Sequence, residues 1–443
     1  MKKIRMERVA AVVVPVILLA ALIVACVWGN TQSARAEALE ENVKTTYRRS
    51  FYELSDNITD LCTALKKLQV SAGKNQHILL LSDVWRLSGA AVENLSGLPQ
   101  SHIDTAKMNR LIVQTGDYAR ALTSRVLSGS VIAQEDYDQL YALYEAMAGI
   151  RQELATRIST DDFPVEAVTS DGYYETTGGS EDDASIANYP TLIYDGPFSD
   201  NTEKAAPRGL TGNEVSQQEA LSLASDYLDG ATLAPAGEEN GSIPAYAFSG
   251  TDSTGRSLEI AVTKQGGQIL WMMAETTGGA EGVPDESVTE SYRQAAKAYL
   301  DARGYQNMQA TYAQYYAGIA LLNFAASQND VLLYPDLVKV YVERDSGTVV
   351  GIDAQNYLFS HTERTLPENT LTVDEARNAV SDQLEIASEA LALIPKNVTA
   401  EVLCYEFKGT CRGASWIVYI NAQTGEEEEI FEIINSEEGQ LVV

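Results

Sequence analysis

The C-terminal half of the chain repeats one pattern three times, and this repeat constrains the fold more than any other feature of the sequence. In each copy an alternating apolar run leads to a glycine and a second such run follows it, over residues 258–274, 338–354 and 416–432. The glycines are Gly267, Gly347 and Gly425, which stand 80 and 78 residues apart. Because glycine adopts the positive φ of a hairpin turn without steric cost, each copy is predicted to be a β-hairpin.

A helical segment precedes each hairpin and completes the repeat. The helices are predicted over residues 215–228, 288–301 and 371–385, with N-caps at Ser216, Thr289 and Thr372. Glu219 and Glu375 stand three residues after their N-caps and predict capping boxes in the first and third copies. Additional strands are predicted over residues 244–249, 308–327 and 400–407. The repeat is therefore one α+β unit, a helix on a small antiparallel meander, present three times.

The first half of the chain has the periodicity of helices. Leu54, Ile58, Leu61, Leu65 and Leu68 step by four and three residues, which is the seam of a helix that packs on another helix. That seam can be filled within the chain or by a second copy. Amphipathic helices are predicted over residues 35–69, 78–98, 103–128 and 135–158. Short connections between long helices favour an antiparallel bundle.

The N-terminus has the pattern of a membrane anchor. Residues 1–8 carry four cations, and residues 9–28 then run for twenty positions without a charge. About twenty apolar residues span a bilayer as a helix, and flanking cations stay in the cytoplasm, so the remaining chain is expected outside it. Two processed forms compete with a retained anchor: cleavage at the "SARA" of residues 33–36, and lipidation of Cys26 in "IVAC".

Residues 159–209 are an acidic linker by composition. One segment within it, residues 188–201, is unusually apolar and aromatic and is predicted to dock on a neighbouring domain as an added strand or to lie as a loosely held loop. Its aromatic residues Tyr189, Tyr194 and Phe198 are the candidate partner-binding residues, because interface anchors are commonly aromatic. Docking within the same chain predicts the same sequence.

The predicted fold class is α plus α+β: an N-terminal transmembrane helix, an antiparallel helical bundle, and three α+β repeats. The domain bounds are 1–8 for the cytoplasmic segment, 9–28 for the anchor, 35–158 for the bundle, 159–209 for the linker, and 210–277, 285–358 and 369–443 for the repeats.

Charge and motif content exclude several functions. The chain has 62 acidic against 32 basic residues and a net charge of −30, whereas a nucleic-acid surface needs clustered cations. The sequence contains no nucleophile elbow, phosphate-binding loop or zinc-ligand spacing, and its histidines (His77, His102 and His361) are predicted to be structural or surface residues. No catalytic residue, metal site or cofactor is predicted.

A run of glutamates and a pair of cysteines are of residue types that could have a chemical role. Glu426 to Glu429 follow a hairpin turn, and because alternate strand residues face opposite ways they are predicted to be a solvated strand start rather than an ion site. Cys404 and Cys411 flank a predicted turn at Lys408-Gly409, a geometry that favours free buried thiols. A disulfide between them stays open outside the cytoplasm.

Several long strings of the sequence occur in a characteristic order. They are "YRRSFYELSDNITDL" (47–61), "YPTLIYDGPFSD" (189–200), "LYPDLVKVYV" (333–342), "NYLFSHTER" (356–364), "LCYEF" (403–407) and "YINAQTGEEEEI" (419–430). In these strings the chain resembles the spore germination protein YpeB family of endospore-forming bacteria. The three repeats resemble PepSY domains, a module shared with peptidase propeptides, and the first copy departs most from that pattern.

The resemblance implies a function that the residues alone do not. It implies a non-enzymatic partner that stabilises, localises and restrains a cortex-lytic peptidoglycan hydrolase of the SleB type, on the cortex side of the spore inner membrane. Peptidoglycan itself is a further candidate partner. One alternative function is a cell-wall hydrolase with an unrecognised carboxylate pair. Another is a sensory ectodomain, but the eight residues before the predicted anchor leave no room for an output module.

Overall fold

The computed structural model describes residues 2–98, 105–160, 167–168, 174–175, 206–276, 280, 282–316, 318–368, 370–396, 400–436 and 439–442. The chain divides into two compact units. The first comprises Met1–Leu68 and Ile78–Ala187, and the second comprises Gln69–His77 and Asn188–Val443.

Helices make up the first unit. They are α1 (Lys2–Leu68), α2 (Lys74–Ser96), α3 (Thr105–Leu127) and α4 (Gln134–Ser159), and a two-residue pair of strands follows, β1 (Ala167–Val168) and β2 (Tyr174–Glu175). The predicted helices lie within a few residues of α2, α3 and α4. The seam from Leu54 to Leu68 is fully buried within this chain, since α1 packs against α4 and α4 against α3.

The predicted anchor, residues 9–28, forms part of α1, but residues 9–27 fall outside the part of the chain whose side chains are described. In that described part, no helical stretch combines the length and apolarity that crossing a membrane requires.

The second unit contains four helices and thirteen strands among its described residues. The helices are α5 (Gln217–Tyr227), α6 (Glu286–Ala302), α7 (Gln355–Ser360) and α8 (Val373–Arg377). The strands are β3 (Thr232–Glu239), β4 (Ala245–Thr251), β5 (Ser257–Thr263), β6 (Ile269–Ala274), β7 (Met308–Tyr316), β8 (Ile319–Gln328), β9 (Val331–Glu343), β10 (Val349–Asp353), β11 (Glu385–Pro395), β12 (Glu401–Cys411), β13 (Ala414–Asn421), β14 (Glu427–Ser436) and β15 (Gly439–Val442).

These thirteen strands pair in one continuous network rather than in three separate meanders. Their order is β11-β12-β13-β14-β15-β7-β8-β9-β10-β6-β5-β4-β3. In addition, Val331–Leu333 of β9 pairs in parallel with Leu391–Leu393 of β11, so that eight strands of the second and third repeats close into a ring. Strands β10, β6, β5, β4 and β3 continue from β9 as an open sheet. The repeat in the sequence predicts the three α+β units, but it does not predict how the strands of one unit pair with those of another.

The predicted hairpins and caps are mostly confirmed. Gly267, Gly347 and Gly425 all have positive φ, at 62°, 68° and 73°. Ser216 and Thr372 form the predicted capping boxes. The N-cap predicted at Thr289 is wrong, because α6 begins after Asp285. The buried Thr289 hydroxyl instead contacts the Tyr315 hydroxyl at 2.8 Å.

Two predictions in the third repeat are wrong. The helix predicted over residues 371–385 is only the five residues of α8, and the strong helix formers of "EIASEALALIP" belong to β11. Pairing with β12 and β9 overrides their local propensity. The turn predicted at Lys408-Gly409 lies instead at Arg412-Gly413, whose φ values of 49° and 80° suit a two-residue hairpin loop.

Candidate functional site: buried carboxylates of the second and third repeats

A bulge in β9 turns two polar side chains into the protein. The register between β8 and β9 shifts at Ala325–Ala326, which pair with Leu337 and Leu333, so Tyr334, Pro335 and Asp336 form the bulge. Proline has no backbone N–H to contribute to a ladder, so a bulge is where a strand tolerates it. Tyr334 and Asp336 are 2% and 0% exposed.

Asp336 is held by an arginine and a histidine from the segment after α7. The two Nη atoms of Arg364 each donate to one carboxylate oxygen of Asp336 at 2.7 Å. His361 Nδ1 lies 2.7 Å from Oδ2, and because an ionised carboxylate only accepts, Nδ1 carries the hydrogen. The His361 ring stacks on Tyr357 with centroids 4.1 Å apart. All of these donors converge on one buried acid.

Arg364 also binds a second carboxylate, Glu401 at the start of β12. Its Nε and Nη2 atoms donate to the two oxygens of Glu401 at 2.9 and 3.0 Å, and Arg208 Nη2 adds a bond of 3.0 Å. Burial raises the pKa of Glu401, but the bonds to Arg364 and Arg208 outweigh it and the pKa is lowered. Burial likewise opposes the charge on Arg364, yet Glu401 and Asp336 raise its pKa overall. The two carboxylates and two guanidinium groups thus form an internally paired network.

A second buried acid, Glu406 of β12, binds side chains from β9 and β13. The hydroxyl groups of Tyr334 and Tyr419 donate to its Oε2 at 2.5 and 2.7 Å, and Lys408 Nζ lies 2.9 Å from Oε1. Burial above all raises the pKa of both tyrosines far above its usual value, and the Glu406 charge adds to this. The phenols therefore stay protonated as donors. The arrangement suits a rigid polar core and offers no activated nucleophile at these residues.

The glutamate run is not uniformly solvated, which corrects the prediction for two of its members. Glu426 and Glu429 are exposed, but Glu427 is only 8% exposed and the Glu428 side chain only 10%. Glu428 binds Lys396 and Asn421 at 2.8 and 2.7 Å. A bulge between β13 and β14 breaks the simple alternation of faces on which the prediction relied.

The cysteines of the described region are buried free thiols. Cys404 and Cys411 lie seven residues apart on the single strand β12, too far for a disulfide, so the prediction of free thiols is confirmed. Burial raises the pKa of Cys404, and it raises the pKa of Cys62 to about 11. A raised pKa disfavours the reactive thiolate.

Two of the three histidines, His77 and His361, belong to the described residues, and His102 lies outside them. His77 is buried, with Nε2 2.9 Å from the Ser71 carbonyl oxygen, and burial lowers its pKa. Over the described ranges, no group of three or more His, Cys, Asp or Glu residues is placed to hold a metal ion.

The candidate partner-binding residues Tyr189, Tyr194 and Phe198, with the whole segment 188–201, lie outside the described residues. Their role stays a prediction.

Three family models match successive parts of the chain. A model described as YpeB N-terminal matches residues 35–160, and one described as YpeB sporulation, PepSY1 and PepSY2 domains matches residues 181–367. A third, described as peptidase propeptide and YPEB domain, matches residues 370–431. Their order is that of the helical unit followed by the repeats.

Relatives match over nearly the full length. Sporulation protein YpeB of Halalkalibacterium halodurans is 26% identical over 434 residues, which cover 94% of this chain and 95% of that protein. Sporulation protein YpeB of Bacillus subtilis is 24% identical over 453 residues, covering 95% and 98%. This chain belongs to the YpeB family. The solved Bacillus megaterium YpeB C-terminal domain is 24% identical, with a TM-score of 0.44, and the match covers 51% of this chain and 100% of that one.

In this YpeB-family chain, strings that are far apart in sequence meet at the two buried acids. "LYPDLVKVYV" supplies Tyr334 and Asp336, "NYLFSHTER" supplies His361 and Arg364, and "LCYEF" supplies Glu406. No chemistry is predicted for these strings from the residues alone. The available signal was an acidic residue within each otherwise apolar strand, which requires a buried donor.

Proposed function

We propose that this YpeB-family chain is a non-enzymatic, membrane-anchored spore protein that stabilises, localises and restrains a cortex-lytic peptidoglycan hydrolase of the SleB type until germination. The observation that carries the proposal is the match to sporulation proteins named YpeB over 94% or more of this chain, in both the Halalkalibacterium and Bacillus relatives.

Two observations support a binding role over a catalytic one. The matched family models are described by YpeB, PepSY and peptidase propeptide, and none of these descriptions names an enzyme. The buried acids Asp336 and Glu406 and the half-buried Glu401 each bind arginine, lysine or tyrosine donors, whereas a catalytic carboxylate has to be accessible to substrate.

The test is a deletion in the organism of origin. We expect the lytic enzyme to be depleted in dormant spores of the deletion strain and restored when the full chain is returned. Normal enzyme levels together with normal cortex breakdown would remove the proposed partnership.

A second assay tests the alternative function, in which this chain is itself a cell-wall hydrolase. The purified full chain is incubated with cortex peptidoglycan, and released muropeptides are measured, with a lytic transglycosylase as the positive control. We expect no release above the buffer blank. Release that persists after removal of copurifying enzymes would assign catalysis to this chain.

A further inference from the structure

Glu427, the first residue of β14, is buried against a segment that lies 354 to 356 positions earlier in the sequence. Its Oε2 accepts hydrogen bonds from the backbone N–H groups of Ala72 at 2.9 Å and Gly73 at 2.7 Å. The Ser71 hydroxyl lies at the limit of hydrogen-bond distance, 3.5 Å, from the same oxygen. Two consecutive amides on one carboxylate oxygen form a directional contact rather than a general attraction of charges.

Local structure on both sides fits this contact. On the carboxylate side, the bulge at Glu428 allows neighbouring glutamates to reach different partners. On the amide side, a Cβ added to Gly73 would lie 3.0 Å from Glu427 Cβ and 3.1 Å from Oε2, closer than side chains ordinarily approach. Glycine at position 73 therefore permits the chain to approach the acid.

Further contacts shape the segment Gln69–His77, which belongs to the second compact unit. Asn75 Nδ2 donates to Glu426 at 3.2 Å, and His77 Nε2 donates to the Ser71 carbonyl oxygen at 2.9 Å. Cys411 Sγ of β12 lies 3.9 Å from the Gln69 carbonyl oxygen. The segment therefore contacts β12 and the start of β14 at Gln69, at Ala72 and Gly73, and at Asn75, and the His77 bond is internal to it.

The hydrogen bonds at Glu427 contribute only modest net stability. Water would hydrate both the carboxylate and the amides if the segment left, so the net gain from each bond is much smaller than its gross strength. Burial also opposes the charge of Glu427, whose pKa is raised despite its bonds to Gly73 and Ala72. These bonds therefore contribute specificity more than strength.

From this geometry we infer that the third repeat carries a receptor for main-chain amides, centred on Glu427, and that Ser71–Gly73 is its occupant. The ligand class is a short stretch with two consecutive free N–H groups and no side chain at the second position. The connection between α1 and α2 meets this description, because Gly73 precedes the start of α2 at Lys74. This assignment is independent of any partner enzyme.

Hydrogen–deuterium exchange of the full-length chain in detergent tests the receptor, with the amides of residues 72 and 73 resolved by fragmentation. E427A removes the acceptor, and we expect exchange at these two amides to accelerate roughly ten- to a hundredfold. E427Q keeps an acceptor oxygen without the charge, so its effect should be smaller. E428Q is the matched control, because it removes the same charge one residue away and should leave both amides protected.

A second variant approaches the same contact from the other side. G73A is expected to accelerate exchange at residues 72 and 73 because its methyl group displaces the segment from Glu427, while strand β13 keeps its protection in every variant. Unchanged protection in E427A would overturn the receptor, whatever G73A does. Equal losses in E427Q and E428Q would also overturn it, by showing that the effect belongs to net charge.

Discussion

Asp336 has no exposed surface, and its burial is offset by the two-bond contact with Arg364 and the further bond from His361. The arginine lies 28 residues along the chain, and Glu401, which binds its other edge, lies 37 residues beyond that. Removing one member of a buried ion pair leaves the other uncompensated, and that penalty exceeds the net value of the intact pair. The network therefore makes correct assembly of these segments a condition of stability.

Substitution of two arginines compares the stability contributed by the buried network with that contributed by a surface ion pair. The Arg364 side chain is 8% exposed. R364A is expected to lower the free energy of unfolding by about 3–5 kcal/mol, because it leaves the Asp336 carboxylate buried without its arginine. Arg377 is 40% exposed and contacts Asp374 and Glu389 at the surface, so R377A should cost less than about 1 kcal/mol. The measurement is hydrogen exchange of the most protected amides in β9 and β12. Similar costs for the two variants would contradict the importance assigned to burial.

Acid should weaken the same network through Glu401. Its pKa is lowered in the folded chain, so between the folded and unfolded pKa values the unfolded state binds more protons. The stability it contributes is therefore present above the unfolded pKa and is lost as pH falls through the folded one. We expect E401Q to cost about 1–3 kcal/mol at pH 6 and progressively less toward pH 3, by urea unfolding at each pH. A cost independent of pH would show that Glu401 acts by shape and not by charge.

At the scale of elements, the sequence predicted local features well and missed a non-local one. The hairpins at Gly267, Gly347 and Gly425 were correct because the turn residue and the alternation are adjacent in the chain. Strand β11 was missed because its alanines, leucines and glutamates favour a helix, and its partners β12 and β9 decide its conformation. The parallel pairing of β9 with β11 has no signature in either segment. The ring of strands was therefore beyond sequence reasoning.

Proline substitutions test the importance of that ring. Ala392 of β11 is fully buried and pairs with both Cys404 and Leu332, so A392P should cost at least about 3 kcal/mol. Ala236 lies exposed at the bulge of the edge strand β3, and A236P should change the free energy of unfolding by no more than about 0.5 kcal/mol. Thermal unfolding of the full chain compares the two variants. Equal destabilisation would mean that closure through β11 contributes nothing special.

For the whole molecule, residues chosen by type alone were poor guides to the site. Among 62 acidic residues, the informative ones are Asp336, Glu401, Glu406 and Glu427, which the fold buries against donors distant in sequence. Burial can be expected for an acid inside an apolar strand, as at Glu406. The donor cannot be identified without the fold, since it can lie hundreds of residues away, as Gly73 does from Glu427. The strings shared with the family contain Asp336 and Glu406, but only the structure shows which donors bind them.

The proposed membrane anchor concerns the whole chain, and substitutions in residues 9–28 test it. Charged residues at the centre of a membrane-spanning helix cost about 2.5–3.5 kcal/mol each on insertion scales, so L18R combined with L22R should move the chain from the membrane fraction to the supernatant after carbonate washing. T31R, which adds a cation outside the apolar run, is the matched control and should stay in the membrane fraction. C26A distinguishes a retained helix from lipidation, because only a lipid-anchored chain would depend on that thiol. Intact mass identifies cleavage near residues 33–36. A double variant that stays in the membrane fraction would place the attachment elsewhere in the chain.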